Sequence, residues 1–134
     1  AIMLPCGADA LEEDPLARLS LSNNAHRAVV RALMDLAPRL IVLGGGGYNP
    51  WTVARCWAGV WGTLNGLPMP DRLPPAAEAV LRGLTFHRAA GRDPPEHWFT
   101  TLAVAPRPGV VRAAVRRAAE RARADLPVPG PPVA

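Results

Sequence analysis

Two short segments hold the side chains best placed to do chemistry. In the first, Asp9 stands just past the apolar run Ala1-Ile2-Met3-Leu4, behind the break Gly7-Ala8. A carboxylate just beyond a strand end is a frequent metal-ligand position, and it can equally cap a helix. In the second, Leu40-Ile41-Val42-Leu43 runs into Gly44-Gly45-Gly46-Gly47 and then Tyr48. The four apolar residues read as a buried strand. Asn49-Pro50 then opens a helix, with Asn as N-cap and Pro at the first helical position. A phenol is therefore expected outside the carboxyl end of a strand, where open α/β sheets bind their ligands. The run Glu12-Glu13-Asp14 reads as a solvated acidic turn.

The glycine run excludes more than it identifies. A P-loop needs Lys-Ser or Lys-Thr after its last glycine, but Tyr48-Asn49-Pro50-Trp51 follows and the chain has no Lys. The dinucleotide pattern G-x-G-x-x-G fails at Asn49 in one frame and at Pro50 in the other. Four glycines in a row cost up to roughly 1 kcal/mol each in chain entropy. A tight turn needs one or two, so the excess suggests that something, such as a ligand, approaches the backbone closely.

The elements that must position these residues alternate. A strand over 1–6 is followed by a helix over about 25–37, capped by Asn23 or Asn24 and ended by Pro38, with Val29, Val30, Leu33, Leu36 and Ala37 at helical spacing. The strand at 39–43 and a helix over about 50–65 come next. Strand, helix, strand, helix implies parallel strands joined by right-handed crossovers. The 50–65 helix is apolar nearly all round, which implies burial against several elements. Arg55 is its one charge and needs a partner. A carboxylate or several carbonyls near the glycine loop are expected, with Asp14 as a candidate. His26 reads as a surface residue of its helix, and His87 and His97 as loop residues. Two units follow: a core over 1–66, and a Pro/Arg-rich region over 67–134. The latter holds one short helix around 75–82, an Ala/Arg helix over 110–125 and a disordered end of about eight residues.

The chain has 134 residues, enough for one modest domain, and a net charge of +4. Every basic residue is Arg, beside 16 Pro and 12 Gly, which reads as compositional bias rather than a nucleic-acid surface. No aromatics interleave with the C-terminal arginines to stack bases, so no nucleic-acid partner is expected. No apolar run of about 20 residues or signal peptide is present, so no membrane partner is expected and the location reads as cytoplasmic. Cys6 and Cys56 form no CxxC and read as reduced, buried thiols.

Taken together, Cys6-Gly7-Ala8-Asp9-Ala10-Leu11-Glu12-Glu13-Asp14-Pro15-Leu16, Arg18-Leu19-Ser20-Leu21-Ser22, Gly44-Gly45-Gly46-Gly47-Tyr48-Asn49 and Ala54-Arg55-Cys56-Trp57 resemble the zinc-dependent histone deacetylase superfamily. Their order and spacing are those of the C-terminal part of its catalytic domain, and the branch they are most similar to is the bacterial acetoin-utilization deacetylases. The resemblance is specific over 1–66. It is weaker beyond, although Asp93-Pro94-Pro95 and the final Arg-rich helix look like that branch's C-terminal region.

The resemblance implies an α/β fold, the C-terminal part of a parallel-sheet arginase–deacetylase architecture, with a Pro-rich irregular segment and a terminal helix. It implies that Asp9 is one of three zinc ligands and that Tyr48 lends its hydroxyl to the substrate's carbonyl oxygen. Leu16 would line an acyl-lysine channel, and Gly45, Gly46 and Gly47 would form part of its wall. Zinc of this kind lowers the pKa of its bound water towards ~7. The family's other two ligands, an Asp and a His, and its catalytic His pair lie upstream of the matching segment. No residue of this sequence stands at those positions.

The expectation is thus a C-terminal fragment that hydrolyses acetylated lysine or amine amides only together with the missing N-terminal part of the catalytic domain. The competing readings are a non-catalytic binding or assembly module and, more remotely, a nucleotide or phosphate binder.

Overall fold

The structure, a computed structural model, describes residues 1–17 and 19–125. The expected disorder of the last eight residues falls outside the described residues. The apolar runs at each end of the first βα unit form strands β1 (Ile2–Pro5) and β2 (Leu40–Leu43). They pair in parallel, with Ile2 opposite Leu40, Leu4 opposite Val42 and Pro5 opposite Leu43. Helix α1 (Asn23–Leu33) connects them and α2 (Pro50–Leu64) follows β2. This mixture of parallel strands and helices is the α/β class expected from the sequence.

Both helices cover one face of the strand pair. Cys6, Val30 and Val60 form a buried cluster there, with Leu4, Met34, Val42 and Leu64 packed against it. The other face is open among the described residues: Met3 is 64% exposed and Ile41 49%. The expectation of a strand buried on both sides is therefore corrected. Residues two apart share a face, and only one face has helices on it.

Helix α1 starts and stops earlier than its periodicity suggests. It ends at Leu33, with Met34 N still donating to Val30 O, and the chain turns over the residues before Pro38. Its N-cap is Ser22, with no side-chain cap bond. Asn23 and Asn24, expected as caps, reach elsewhere. The Asn23 amide donates to Leu102 O at 2.8 Å and accepts from Val104 N at 2.9 Å, and Asn24 donates to Val104 O. One fully buried side-chain amide thus satisfies two backbone groups and straps the extended segment at 101–104 onto α1.

Helix α2 is buried as expected along most of its length, although Trp61 is largely exposed. The Pro-rich region contributes α3 (Pro75–Gly83), the single turn α4 (His97–Thr100) and α5 (Ala113–Ala124). It also has a core of its own, which the sequence reading missed. Trp51 of α2 packs with Leu81 and Trp98, and Leu73, Leu84, Phe86 and Phe99 surround them. The Trp51 and Trp98 rings lie 5.5 Å apart, while Phe86 and Phe99 meet Trp51 edge-on. Trp51 Nε1 donates to Leu81 O at 2.8 Å. α5 buries none of its residues.

Asn23→Ala is expected to lower unfolding stability by about 1–3 kcal/mol, since it leaves a buried carbonyl and a buried N–H unpaired. Urea denaturation of the variant measures this, and a loss within error of zero would show that the strap is unimportant.

Candidate active site

The register of β1 and β2 ends both strands level, so the loops that leave them, 6–17 and 44–49, emerge side by side. Cys6 N donates to Leu43 O at 2.9 Å and Ala8 N to Gly46 O at 2.6 Å, which continues the pairing past the strands. Asp9 sits on a short 3-10 turn, Ala8–Ala10, with its carboxylate against Gly46. A Cβ on Gly46 would lie 2.5 Å from Asp9 Oδ2, and one on Gly45 would lie 2.9 Å from Gly7 Cα. Gly44 faces the Trp57 ring at a similar distance. Gly47 has φ +149°, and a Cβ there would overlap Val53. Each glycine of the run is thus demanded by a neighbour within this chain. The loops themselves therefore account for the glycines on the sides that face Gly7, Asp9, Val53 and Trp57.

The expected site residues fall into two linked groups. Asp9 is packed directly on Gly46, while Gly45 lies against Gly7 and Gly47 against Val53 and Ala8. Leu16 and Tyr48 are joined through Asp14. This carboxylate is only 7% exposed. Its Oδ1 accepts from Leu16 N at 2.8 Å and Ala17 N at 3.1 Å, and its Oδ2 accepts from Tyr48 N at 2.8 Å. Beside it, Asn49 Nδ2 donates to Glu13 O at 3.1 Å while Asn49 Oδ1 caps α2 by accepting from Trp51 N at 3.1 Å. The side chains of Leu16 and Tyr48 are both exposed, Tyr48 to 49%.

Asp14 was missed as a site residue. It is neither part of a solvated acidic turn nor the partner of Arg55, the two roles expected of it from sequence. The available signal was Asp14-Pro15, since Asp before a turn bonds the backbone two residues on. Arg55 is buried, and its Nε donates to Thr101 O at 2.6 Å and its Nη2 to Thr101 Oγ1 at 3.3 Å. Burial pulls its pKa down to about 10, opposed by the charge of Glu13. Its partner lies 46 residues away in the Pro-rich region, where local sequence gives no hint of it.

His26 is also corrected. It is buried, not on the surface, and Nε2 meets Gly7 O at 2.8 Å while Nδ1 has no hydrogen-bond partner. It lines a cleft of about 310 Å³ together with Cys6, Asp9, Leu21 and Val29. Asp9 is the one expected site residue on that cleft. His87 is exposed in a loop, and His97 is exposed but opens α4 rather than lying in a loop. Cys6 and Cys56 are free and buried, and burial pushes the Cys56 thiol up to about 12. Among the described residues, no three His, Cys, Asp or Glu side chains come together as a metal site.

Residues 1–64 match the family model described as the histone deacetylase domain. A Caenorhabditis elegans protein assigned as histone deacetylase 2 is 50% identical over 74 residues, covering 55% of this chain and 15% of that protein. Histone deacetylase 1 of Oryza sativa subsp. japonica is 41% identical over 75 residues, covering 56% and 14%. Among solved structures, an HDAC homolog from Aquifex aeolicus superposes with a TM-score of 0.79 at 31% identity, over 90% of this chain and 32% of that one. An HDAC homolog complexed with SAHA superposes equally well. The chain therefore has the fold of those proteins across nearly its whole length. It spans about a third of the solved structures and about 15% of the curated relatives.

Gly47→Ala is expected to cost roughly 2–4 kcal/mol, combining backbone strain with overlap on Val53. Gly66 also has positive φ but open space around it, so Gly66→Ala should cost only about 1 kcal/mol of strain. Denaturation of both variants tests the difference, and equal losses would count against the packing account.

Proposed function

We propose that this chain is the C-terminal segment of the catalytic domain of a zinc-dependent deacetylase that hydrolyses acetylated lysine or amine amides, in the branch of the acetoin-utilization deacetylases and in the cytoplasm. The observation that carries the reading is the joining of Leu16 and Tyr48 through one buried carboxylate, next to Asp9 packed on the glycine loop. The match of residues 1–64 to the histone deacetylase domain supports it independently.

Tyr48 contributes a neutral donor. Its backbone is pinned between the Asp14 contact and the capped start of α2, and its ring projects from the surface. As an amide carbonyl is attacked, negative charge gathers on its oxygen, and a hydroxyl already in place stabilises it without reorganising. Leu16 offers an apolar wall to the methylene stem of an acylated amine. Asp9 would supply one carboxylate to the metal. The described residues do not complete a ligand set, so the remaining ligands would come from outside this sequence. The chemistry assigned to this chain is accordingly that of Tyr48, and the chain by itself is expected to be inactive.

The exposed outer face of the sheet, with Met3 and Ile41 at its centre, supports the missing N-terminal part of the catalytic domain as its partner. The same face is what a non-catalytic assembly module would use, and that is the second reading. The phosphate-binding reading has no support beyond the glycines, which the chain's own packing accounts for.

In the full-length enzyme carrying this segment, Tyr48→Phe should lower kcat by about 10²–10³ with little change in KM. An unchanged kcat on an acetyl-lysine peptide would sink the reading. The 134-residue chain alone should show no turnover above a metal-free blank.

A further inference from the structure

The proposed chemistry needs Tyr48 and Leu16 held in one frame, although they lie on different loops that leave different strands. The buried contacts around Asp14 suggest how this is done. Three backbone donors converge on its two carboxylate oxygens, two from its own loop on Oδ1 and one from the glycine loop on Oδ2. Only an acceptor-only group with two oxygens satisfies that arrangement. An ionised carboxylate does, while an amide of the same shape offers one acceptor and one donor and must fail on one side. Asp14 is nearly fully buried, so water does not readily replace a lost partner.

We infer that Asp14 is a positioning residue: its carboxylate locks the Tyr48 backbone to the backbone of Leu16, and so fixes the phenol relative to the wall of the channel. This deepens the deacetylase reading and rests on it for its catalytic consequence, but the lock itself is a property of this chain. The neighbouring bond from Asn49 to Glu13 O does not involve Asp14. It keeps the loops adjacent when the lock is removed, so the two effects separate. Asn49 is fully buried and caps α2, which makes it the structural staple, whereas Asp14 acts on the two residues that project outward.

The lock is tested first in the unmodified chain by NMR. A scalar coupling across the hydrogen bond from Tyr48 N to Asp14 Cγ is expected, and its absence overturns the inference. In Asp14→Asn, amide exchange should accelerate at least tenfold at Tyr48 or at Leu16 and Ala17. The amides of β1, β2 and α2 should keep their protection. The ring signals of Tyr48, the single tyrosine of the chain, should shift as well. Protection unchanged at all three amides overturns the inference. So does a uniform loss across the sheet, which would make Asp14 a folding residue only.

In the full-length enzyme, Asp14→Asn should lower kcat more than it raises KM. It should add little to the loss already caused by Tyr48→Phe, because both act through one hydroxyl. Additive losses overturn positioning through Tyr48. If Tyr48→Phe itself has no effect, the deacetylase reading falls, while the coupling and exchange results still decide whether the lock exists.

Discussion

Four parallel residue pairs between β1 and β2 set the carboxyl ends of the two strands level, and the loops that follow have to share one space. Two loops cannot run past each other at that separation with side chains between them. The glycine run and Gly7 remove the side chains, which lets Ala8 N reach Gly46 O and lets the Asp9 carboxylate lie against Gly46. Close approach then leaves donors of both loops away from water and without a strand to pair with. Asp14 takes up three of them and Asn49 two further groups. Each bond to an ionised carboxylate contributes roughly 1.5–3 kcal/mol, larger than the roughly 1 kcal/mol each glycine costs in entropy. The loop geometry is affordable on that scale because its polar groups are satisfied internally.

Helix α2 links this site to the rest of the chain. Its residues Val60, Cys56 and Trp51 belong to three separate buried clusters, one under the sheet, one under the Asp9 loop and one shared with the Pro-rich region. Arg55, between them, donates to Thr101, and Asn23 of α1 holds Leu102 and Val104. The Pro-rich region is therefore anchored to the α/β unit through side chains that pair with its backbone. Extended chain has no partners of its own for its backbone groups, so amide and guanidinium donors from neighbouring helices are the physical substitute for a ladder.

The parts legible in the sequence were those set by local chemistry. Asn49-Pro50 gave the start of α2, and the alternation of apolar runs and helical periodicity gave the parallel βα pattern. Asp9 and Tyr48 stand out by their places beside strand ends and glycines, whereas Leu16 enters only through the family resemblance. The parts that were not legible depend on contacts distant in sequence. Thr101 is 46 residues from Arg55, and Leu102 is 79 from Asn23. Asp14 is hard to read for a different reason. Its neighbours Glu12 and Glu13 made it look like one of three solvated charges, whereas only Asp14 turns inward. The close neighbours of the glycine run are likewise backbone and side chains of other segments, such as Gly7, Asp9 and Trp57. A sequence shows that space is needed there without showing what fills it.

The open face of the sheet and the closed loops beyond it obey different physics. Burying the half-exposed side chains of Met3, Ile41 and Leu43 completely would contribute a few kcal/mol, at about 25 cal/mol per Å² of apolar area. That is the same order as the whole stability of a typical domain, roughly 5–15 kcal/mol. Covering this face would therefore change how stable the unit is far more than where Tyr48 points. The backbone of Tyr48 is held by the bond to Asp14 and by the Asn49 cap that follows it, both made within this chain. In a chain that spans about a third of the structures it superposes on, the loop contacts at the strand ends are made within the chain, and stability is the quantity that depends on what covers the sheet.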